Sequence, residues 1–300
     1  MTLITIVIAF ALELLSTAAS GASVDRWFES WRQRLDRAFG DGALWNGTGG
    51  VLLVLALPVI VVALVQGFLH GVWLGLLGLV FAVVVLAYAM RYRRLDLLVD
   101  RYCDALASGD HDTAADAARE LLALDEDRAA DVRTMSEAVL LQANHRLFAV
   151  VFWFAVLGAV GAVLYRLTWQ LAQRVPEGQH GLSTAFVGAA RRLLGILDWI
   201  PVRLVAAGYA LSGSFDDVLH EWRTAPMRSA NWVEGNYELL RNAGTAALQP
   251  ERYARDEGGD APAGVDYEPA MVRAARGLVL RTVIIWGIVI ALMTLAGWSD

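Results

Sequence analysis

An acid and a base lie five residues apart in an otherwise apolar segment. Residues 193–211 read LLGILDWIPVRLVAAGYAL, in which Asp198 and Arg203 flank Trp199 and Pro201. A charged side chain in hydrocarbon is costly unless it has a partner or faces a water-filled cavity. Pro201 removes one backbone donor and disfavours helix at the residue before it. We therefore predict a broken helix here, in which Trp199 and Pro201 have structural roles.

Two roles fit the charged pair. As a structural ion pair, Asp198 and Arg203 would lock the two half-helices together. As a binding site, Asp198 would cap the second half-helix, and Arg203 would hold an anionic group of a ligand through two parallel hydrogen bonds. Residue types and spacing leave both roles open.

Four more polar residues are candidates for the same ligand site. Glu137 and Asn144 are seven residues apart and therefore share one face of a helix. Tyr165 and Arg166 close the fourth apolar run of the chain. They either complete a pocket beside the broken segment or form an interfacial belt in which the arginine extends to the headgroups.

The sequence contains no recognisable catalytic or metal-binding motif. It lacks HExxH, GxSxG, CxxC and glycine-rich phosphate loops, and its five histidines have no ligand spacing. All 25 basic residues are arginines, so any anion must be held by arginine, backbone N–H groups or a metal. The net charge of −6 provides no basic field for nucleic acid. We predict no metal site and no nucleic-acid partner, and the cofactor stays open.

The composition is typical of an integral membrane protein. Hydrophobic residues make up 57% of the chain and charged residues 19%, and several apolar runs can cross a hydrocarbon core of about 30 Å. We predict an all-α, polytopic helical membrane protein with a cytoplasmic helical hairpin and a broken membrane-embedded helix. The predicted regions are 1–90 with three membrane helices and an interfacial amphipathic helix at 22–46, 91–146 as the hairpin, 147–212 with the fourth membrane helix and the broken segment, 213–276 as a polar region that contains a loop over 250–266, and 277–300 with the last membrane helix.

Three details refine this division. Glu13 interrupts the first apolar run and faces either a bundle interior or the membrane interface. Gly158 and Gly161 in the fourth run permit close helix contact. In the hairpin, the stretch SGDHD separates two helices, and Asp112 is the expected N-cap of the second.

Arginine counts in short loops set the predicted orientation. The link 66–72 has no arginine and is placed outside, which leaves 22–48 and 91–146 in the cytoplasm. The arginine-rich stretch 213–276 would then lie outside, unless residues 193–212 cross the membrane or form a re-entrant pair with the fourth run. Both alternatives embed the charged pair in the bilayer. The number of spans and the oligomeric state stay open.

Four stretches resemble the AmpE family of bacterial inner-membrane proteins. They are MTLITIVIAFALELL at the start, ALASGDHDTAADAARELL at 105–122, FWFAVLGAVGAVLYRL at 152–167 and DWIPVRLVAAGYAL at 198–211. Their order and spacing agree with that family. The resemblance implies a multi-pass protein of the bacterial inner membrane that acts in β-lactamase induction and cell-wall recycling.

The same stretches are more distantly similar to the CobD/CbiB family of cobalamin biosynthesis, for which the resemblance implies ATP-dependent amide ligation. Glu137 matches the first glutamate of a motif of that family, but Leu194 and Gly195 stand where the family has an acidic pair. A Mg²⁺–ATP site needs oxygen ligands. We therefore expect a regulatory protein that binds a cell-wall-derived or nucleotide-like anion near Arg203, with a CbiB-type ligase as the alternative.

Overall fold

A computed structural model describes residues 2–15, 22–39, 45, 47–71, 75–122, 131–173, 184–224, 232–248 and 267–296. Within these ranges the chain forms helices and no strand. Five helical stretches are long and apolar enough to cross a membrane, which confirms the all-α, polytopic class. The predicted loop at 250–266 lies outside the described residues. The five stretches are Thr48–Leu69, Leu76–Ser108, Val132–Leu157, Thr184–Ser212 and Glu268–Leu295.

The chain divides into two compact units, each built from separate parts of the sequence. The first unit comprises residues 1–91 and 149–197, together with the last two residues, and the second comprises 92–148 and 198–298. The first holds α1 (Thr2–Leu15), α2 (Ala22–Phe39), α3 (Thr48–Gly71), α4 (Gly75–Ala89), α8 (Ala149–Leu157), α9 (Ala159–Ala172) and the first half of α10 (Thr184–Ser212). The second holds α5 (Tyr92–Ser108), α6 (His111–Leu121), α7 (Val132–Ala143), a π-helical turn (Asn144–Phe148), the rest of α10, α11 (Phe215–Thr224), α12 (Trp232–Leu248) and α13 (Tyr267–Leu295).

Helix α10 is continuous, so the predicted break at Pro201 is wrong. A proline inside a helix leaves the carbonyl four residues earlier without its usual donor. That carbonyl belongs to Leu197, and it accepts a hydrogen bond of 3.0 Å from the indole Nε1 of Trp153. The indole therefore replaces the lost backbone bond, as neighbouring helices can do at membrane depth.

The same compensation occurs at the other proline that lies beyond the first turn of a described helix. Pro58 lies inside α3, and the carbonyl four residues earlier belongs to Val54. This oxygen accepts a hydrogen bond of 3.3 Å from the indole Nε1 of Trp31, on the amphipathic helix α2. Both prolines thus remain within helices because a tryptophan from a neighbouring helix satisfies the exposed carbonyl.

A genuine interruption occurs instead at Gly158, in the predicted span 147–167. Its φ of 68° is left-handed, which glycine adopts without strain. The side chain of Gln66 bridges the break, because its Nε2 donates to the carbonyl of Leu157 at 3.3 Å and its Oε1 accepts from the backbone N–H of Val160 at 3.2 Å. One amide thereby satisfies backbone groups on both sides of the interruption.

The helical hairpin of α5 and α6 is present, with a different cap from the predicted one. Asp110, not Asp112, is the N-cap of α6, and its carboxylate accepts from the backbone N–H of Thr113 at 3.0 Å. Hydrogen bonding from Thr113 lowers the pKa of Asp110. The sequence favoured the wrong aspartate because both lie close to the start of the helix, and only the backbone conformation distinguishes them.

Candidate functional site

Asp198 is the centre of a buried polar cluster in the second unit. Its side chain is fully buried, and its Oδ1 accepts a hydrogen bond of 3.1 Å from Nδ2 of Asn144. Its Oδ2 lies 3.6 Å from Nδ1 of His145, which is also buried. The predicted neighbours Asp198 and Asn144 are therefore in contact.

The π-helical turn accounts for two consecutive residues reaching the same carboxylate. Asn144 begins this turn, and its backbone N–H is shared between the carbonyls of Leu140 and Leu141. Tyr209 on α10 adds a hydroxyl bond of 3.2 Å to the carbonyl of Leu140. Single π-turns inside α-helices are frequent at functional sites. Here the turn directs Asn144 and His145 to Asp198.

Helix α12 also contacts this cluster. The ring of Tyr237 meets the imidazole of His145 edge-on, with centroids 5.6 Å apart. The adjacent Asn236 is buried as well. The sequence alone gave no indication of His145, Asn236 or Tyr237, because nothing local distinguishes them from other polar residues.

Arg203 does not pair with Asp198, so the first of the two roles considered for these residues, a structural ion pair, is wrong. Five residues along an α-helix correspond to a rotation of about 140°, which places the two side chains on different faces of α10. The Nη1 of Arg203 instead donates to the carbonyl of Trp199 at 2.6 Å and to Oδ1 of Asn236 at 3.3 Å. Its guanidinium carbon lies 4.2 Å from the centroid of the Trp199 ring.

The remaining donors of Arg203 are available to a ligand. Its Nε and Nη2 donate to no group in the described parts of the chain, and the side chain is partly exposed. The Trp199 ring stacks against one side of the guanidinium and fixes its plane. A planar arginine makes this contact better than the flexible ammonium group of a lysine. This surface, formed by Arg203, Asn236 and Trp199, is called the Arg203 face below.

Glu137 is buried in the same unit, at a different position along α7 from Asn144. Its Oε1 accepts from Nε of Arg133 at 2.9 Å, and the Oγ1 of Thr245 lies 3.5 Å away. Seven residues of helix separate Glu137 from Asn144, a rise of about 10 Å. The shared face predicted for these two residues is thus spread over two turns.

Tyr165 and Arg166 lie on α9 in the first unit, and both are buried. The guanidinium of Arg166 lies 4.6 Å from the ring centroid of Trp169. Their burial disagrees with the alternative of an interfacial belt, in which the arginine would extend to the headgroups. Glu13 on α1 is also buried, which favours the interior over the interface for this carboxyl group.

A family model described as "Regulatory signalling modulator protein AmpE" matches residues 1–298. The chain belongs to the AmpE family. A match of this length covers both units, so the buried cluster at Asp198 and the Arg203 face are features of an AmpE-family chain.

Two relatives of this AmpE-family chain are named cobalamin biosynthesis protein CobD. The one from Stutzerimonas stutzeri (strain A1501) is 32% identical over 223 residues, which cover 72% of this chain and 69% of the relative. The one from Chromobacterium violaceum is 33% identical over 226 residues, which cover 73% and 64%. No solved structure matches the chain.

The described residues bring no three histidine, cysteine, aspartate or glutamate side chains together in a group that could hold a metal ion. The Asp198 cluster offers one carboxylate, one imidazole and one amide. Within the described parts, the Oδ1 of Asn144 is buried and accepts no hydrogen bond. The cluster is therefore suited to fixing helices, whereas the Arg203 face is suited to recognition.

Proposed function

We propose that this AmpE-family protein is a regulatory protein of the bacterial inner membrane that acts in β-lactamase induction and cell-wall recycling. In this proposal it responds to an anionic ligand, derived from the cell wall or resembling a nucleotide, that is held by Arg203. The observation that supports the ligand site is the pair of available donors on Arg203, beside Asn236 and above Trp199.

An anion is the ligand class that fits these groups. A guanidinium presents its donors in a planar fork that matches carboxylate and phosphate oxygens. The amide of Asn236 adds a neutral polar group, and the Trp199 ring adds an apolar surface for a planar or aliphatic part of the ligand.

Helix α12 connects the proposed ligand site at Arg203 with the buried cluster at Asp198. Asn236 contacts Arg203, and the next residue, Tyr237, contacts His145 beside Asp198. A ligand that draws Arg203 away from Asn236 changes the contacts of α12 next to the π-helical turn. The proposed response is a shift of α12 against α7 and α10, two helices that the cluster joins.

Replacing Arg203 by glutamine is expected to abolish β-lactamase induction while the amount of protein in the membrane stays at the wild-type level. The substitution removes the charged fork but touches neither Asp198 nor Asn144. Enzyme activity after exposure to an inducing β-lactam, normalised to protein in the membrane fraction, measures the effect.

Arg281→Gln provides the matched control. Like Arg203, Arg281 donates to the carbonyl four residues earlier, here from Nε at 3.4 Å, and it is exposed. Among the described residues its guanidinium contacts no aromatic ring and no asparagine. The Arg281→Gln variant should show β-lactamase induction at the wild-type level. Normal β-lactamase induction in the Arg203→Gln variant would show that Arg203 does not hold the ligand.

A second candidate function is the ATP-dependent amide ligation implied by the CobD/CbiB resemblance, and the two CobD relatives favour it. Glu137 is the residue that matches a motif of that family. If this function holds, purified protein should hydrolyse ATP in the presence of Mg²⁺, and Glu137→Gln should lose at least about tenfold of that activity. Absence of nucleotide binding in calorimetry would reject the ligase and leave the regulatory proposal standing.

A further inference from the structure

The amphipathic helix α2 carries positive charge on its exposed side. Its exposed positions include three arginines and one acid, Glu29. Two of the arginines, Arg34 and Arg37, are three residues apart and are therefore neighbours on the helix surface. Trp27, seven residues before Arg34, lies on the same face and is also exposed. The surface formed by Trp27, Arg34 and Arg37 is called the α2 face below.

The acidic side chains of α2 have partners among the described residues. These acids are Asp25, Glu29 and Asp36. Asp25 forms an ion pair with Arg91, two residues after the end of α4. Glu29 accepts a hydrogen bond of 2.9 Å from Nε of the buried Arg32. Asp36 accepts a hydrogen bond of 2.7 Å from the indole Nε1 of Trp45. The negative charges of α2 are therefore held by groups of the protein itself.

Arg34 and Arg37 form no ion pair in the described part of the chain. Arg34 makes no hydrogen bond there, and Arg37 donates only from Nε, to the carbonyl of Gln33 at 3.3 Å. A guanidinium has five N–H donors, so most donors on both side chains are available to a group outside the chain. A carboxylate or phosphate is the group that arginine donors bind best.

The position of α2 favours a lipid as the source of that anion. The indole of Trp31 ties α2 to the carbonyl of Val54 in α3, about 9 Å along the helix from Thr48. Helix α3 is long and apolar enough to cross a membrane, and it exposes apolar side chains such as Leu64 and Phe68. Helix α2 thus lies near the end of a spanning helix, where phospholipid headgroups meet the hydrocarbon.

We propose that the α2 face binds the phosphate groups of anionic phospholipids, with Arg34 and Arg37 on the phosphate oxygens and the Trp27 ring beside the upper part of the acyl chains. Arginine donors match phosphate oxygens, and tryptophan is enriched at the membrane interface. The ammonium group of a zwitterionic phospholipid is repelled by the arginines, so the surface selects lipids with a net negative charge.

Native mass spectrometry on the full chain in detergent micelles tests this preference. The probes are phosphatidylglycerol and phosphatidylcholine with the same acyl chains. The wild-type protein should bind its first phosphatidylglycerol at least about fivefold more tightly than its first phosphatidylcholine. Arg34→Gln/Arg37→Gln should reduce this preference to less than about twofold. Because both positions are exposed, the variant should keep the wild-type midpoint of SDS unfolding.

Arg94→Gln/Arg119→Gln is the matched control, because it removes the same charge from the helical hairpin of α5 and α6. Both arginines are exposed, but each is paired with an acid of α6, Glu120 or Asp116. This variant should keep the wild-type lipid preference. Equal affinity of the wild-type protein for the two lipids, or an equal loss of preference in the two double variants, would overturn the proposal.

Poly-glutamate tests an acidic protein as the partner of the α2 face. If poly-glutamate binds through Arg34 and Arg37 while the two lipids bind equally, the surface recognises an acidic protein and the lipid proposal is wrong. Arg203→Gln should keep the lipid preference, so the α2 face and the proposed regulatory function fail or stand separately. Loss of the preference in the Arg203→Gln variant would place the lipid at Arg203 and overturn the assignment to α2.

Discussion

Gly161→Ala is expected to destabilise the first unit by about 3 kcal/mol or more. A Cβ at this position would lie 2.2 Å from the carbonyl oxygen of Trp153 and 2.8 Å from the Cβ of Leu157. The first of these is a backbone atom that cannot rotate away. The close approach results from the interruption at Gly158, which brings the end of α8 onto the first turn of α9.

Unfolding in mixed micelles with increasing SDS measures this effect, with Gly67→Ala as the matched control. Gly67 lies in α3 of the same unit, and a Cβ there meets no atom within 4 Å. Because alanine is the better helix former by roughly 0.5–1 kcal/mol, Gly67→Ala should be neutral or stabilising. Equal stability of the two variants would mean that α8 and α9 do not pack as described.

Asp198→Ala is expected to destabilise the second unit by about 2 kcal/mol. The substitution leaves the Nδ2 of Asn144 buried and without the acceptor it now has at 3.1 Å, and it removes the carboxylate beside His145. Asp198→Asn should cost less, because an amide oxygen still accepts from Asn144. The midpoint of SDS unfolding checks both variants.

Asp104→Ala is the control for the loss of an acidic side chain from the same unit. Asp104 is exposed and lies 4.0 Å from Arg273 at the surface. Its replacement should change the unfolding free energy by less than about 0.5 kcal/mol. If Asp198→Ala were no more harmful than Asp104→Ala, Asp198 would not hold the π-helical turn.

The sequence is sufficient to predict the helical membrane class and to single out several polar residues that prove to be buried. Asp198 stands out because a charged group in an apolar segment needs a partner, and Glu137 and Asn144 because their spacing places them on one face of a helix. Their burial in the structure agrees with that reasoning. Their hydrogen-bond partners are harder to predict from the sequence. Those of Glu137 are Arg133 and Thr245, and Thr245 lies 108 residues away in the chain.

The interruption lies in a different helix from the predicted one for a tertiary reason. Pro201 is the stronger local breaker, but Trp153, 44 residues away in the chain, satisfies the carbonyl that the proline leaves open. Gly158 is the weaker local breaker, but Gln66, 91 residues from Leu157, supplies the donor and acceptor that an interruption needs. Neither indole nor amide could be paired with its target from the sequence.

The spacing of Asp198 and Arg203, in contrast, is enough to show why the two side chains do not form an ion pair. With an intact helix, five residues separate the two side chains by about 140°, so an ion pair requires the break that Pro201 seemed to provide. Once the helix is continuous, the acid belongs to the buried cluster and the base to the partly exposed Arg203 face. Helix α10 therefore places Asp198 in a buried cluster on one face and Arg203 on a partly exposed surface on another.

A double-mutant cycle between Asn144→Ala and Asp198→Ala, followed by SDS unfolding, tests this claim most directly. If Asp198 is the buried partner of the π-helical turn, the cycle should give a coupling energy of about 1 kcal/mol or more, and the same cycle between Asp198 and Arg203 should give close to zero. Additivity of Asn144 and Asp198 within about 0.3 kcal/mol, together with coupling of Asp198 to Arg203, would contradict the assignment of the two side chains to separate faces of α10.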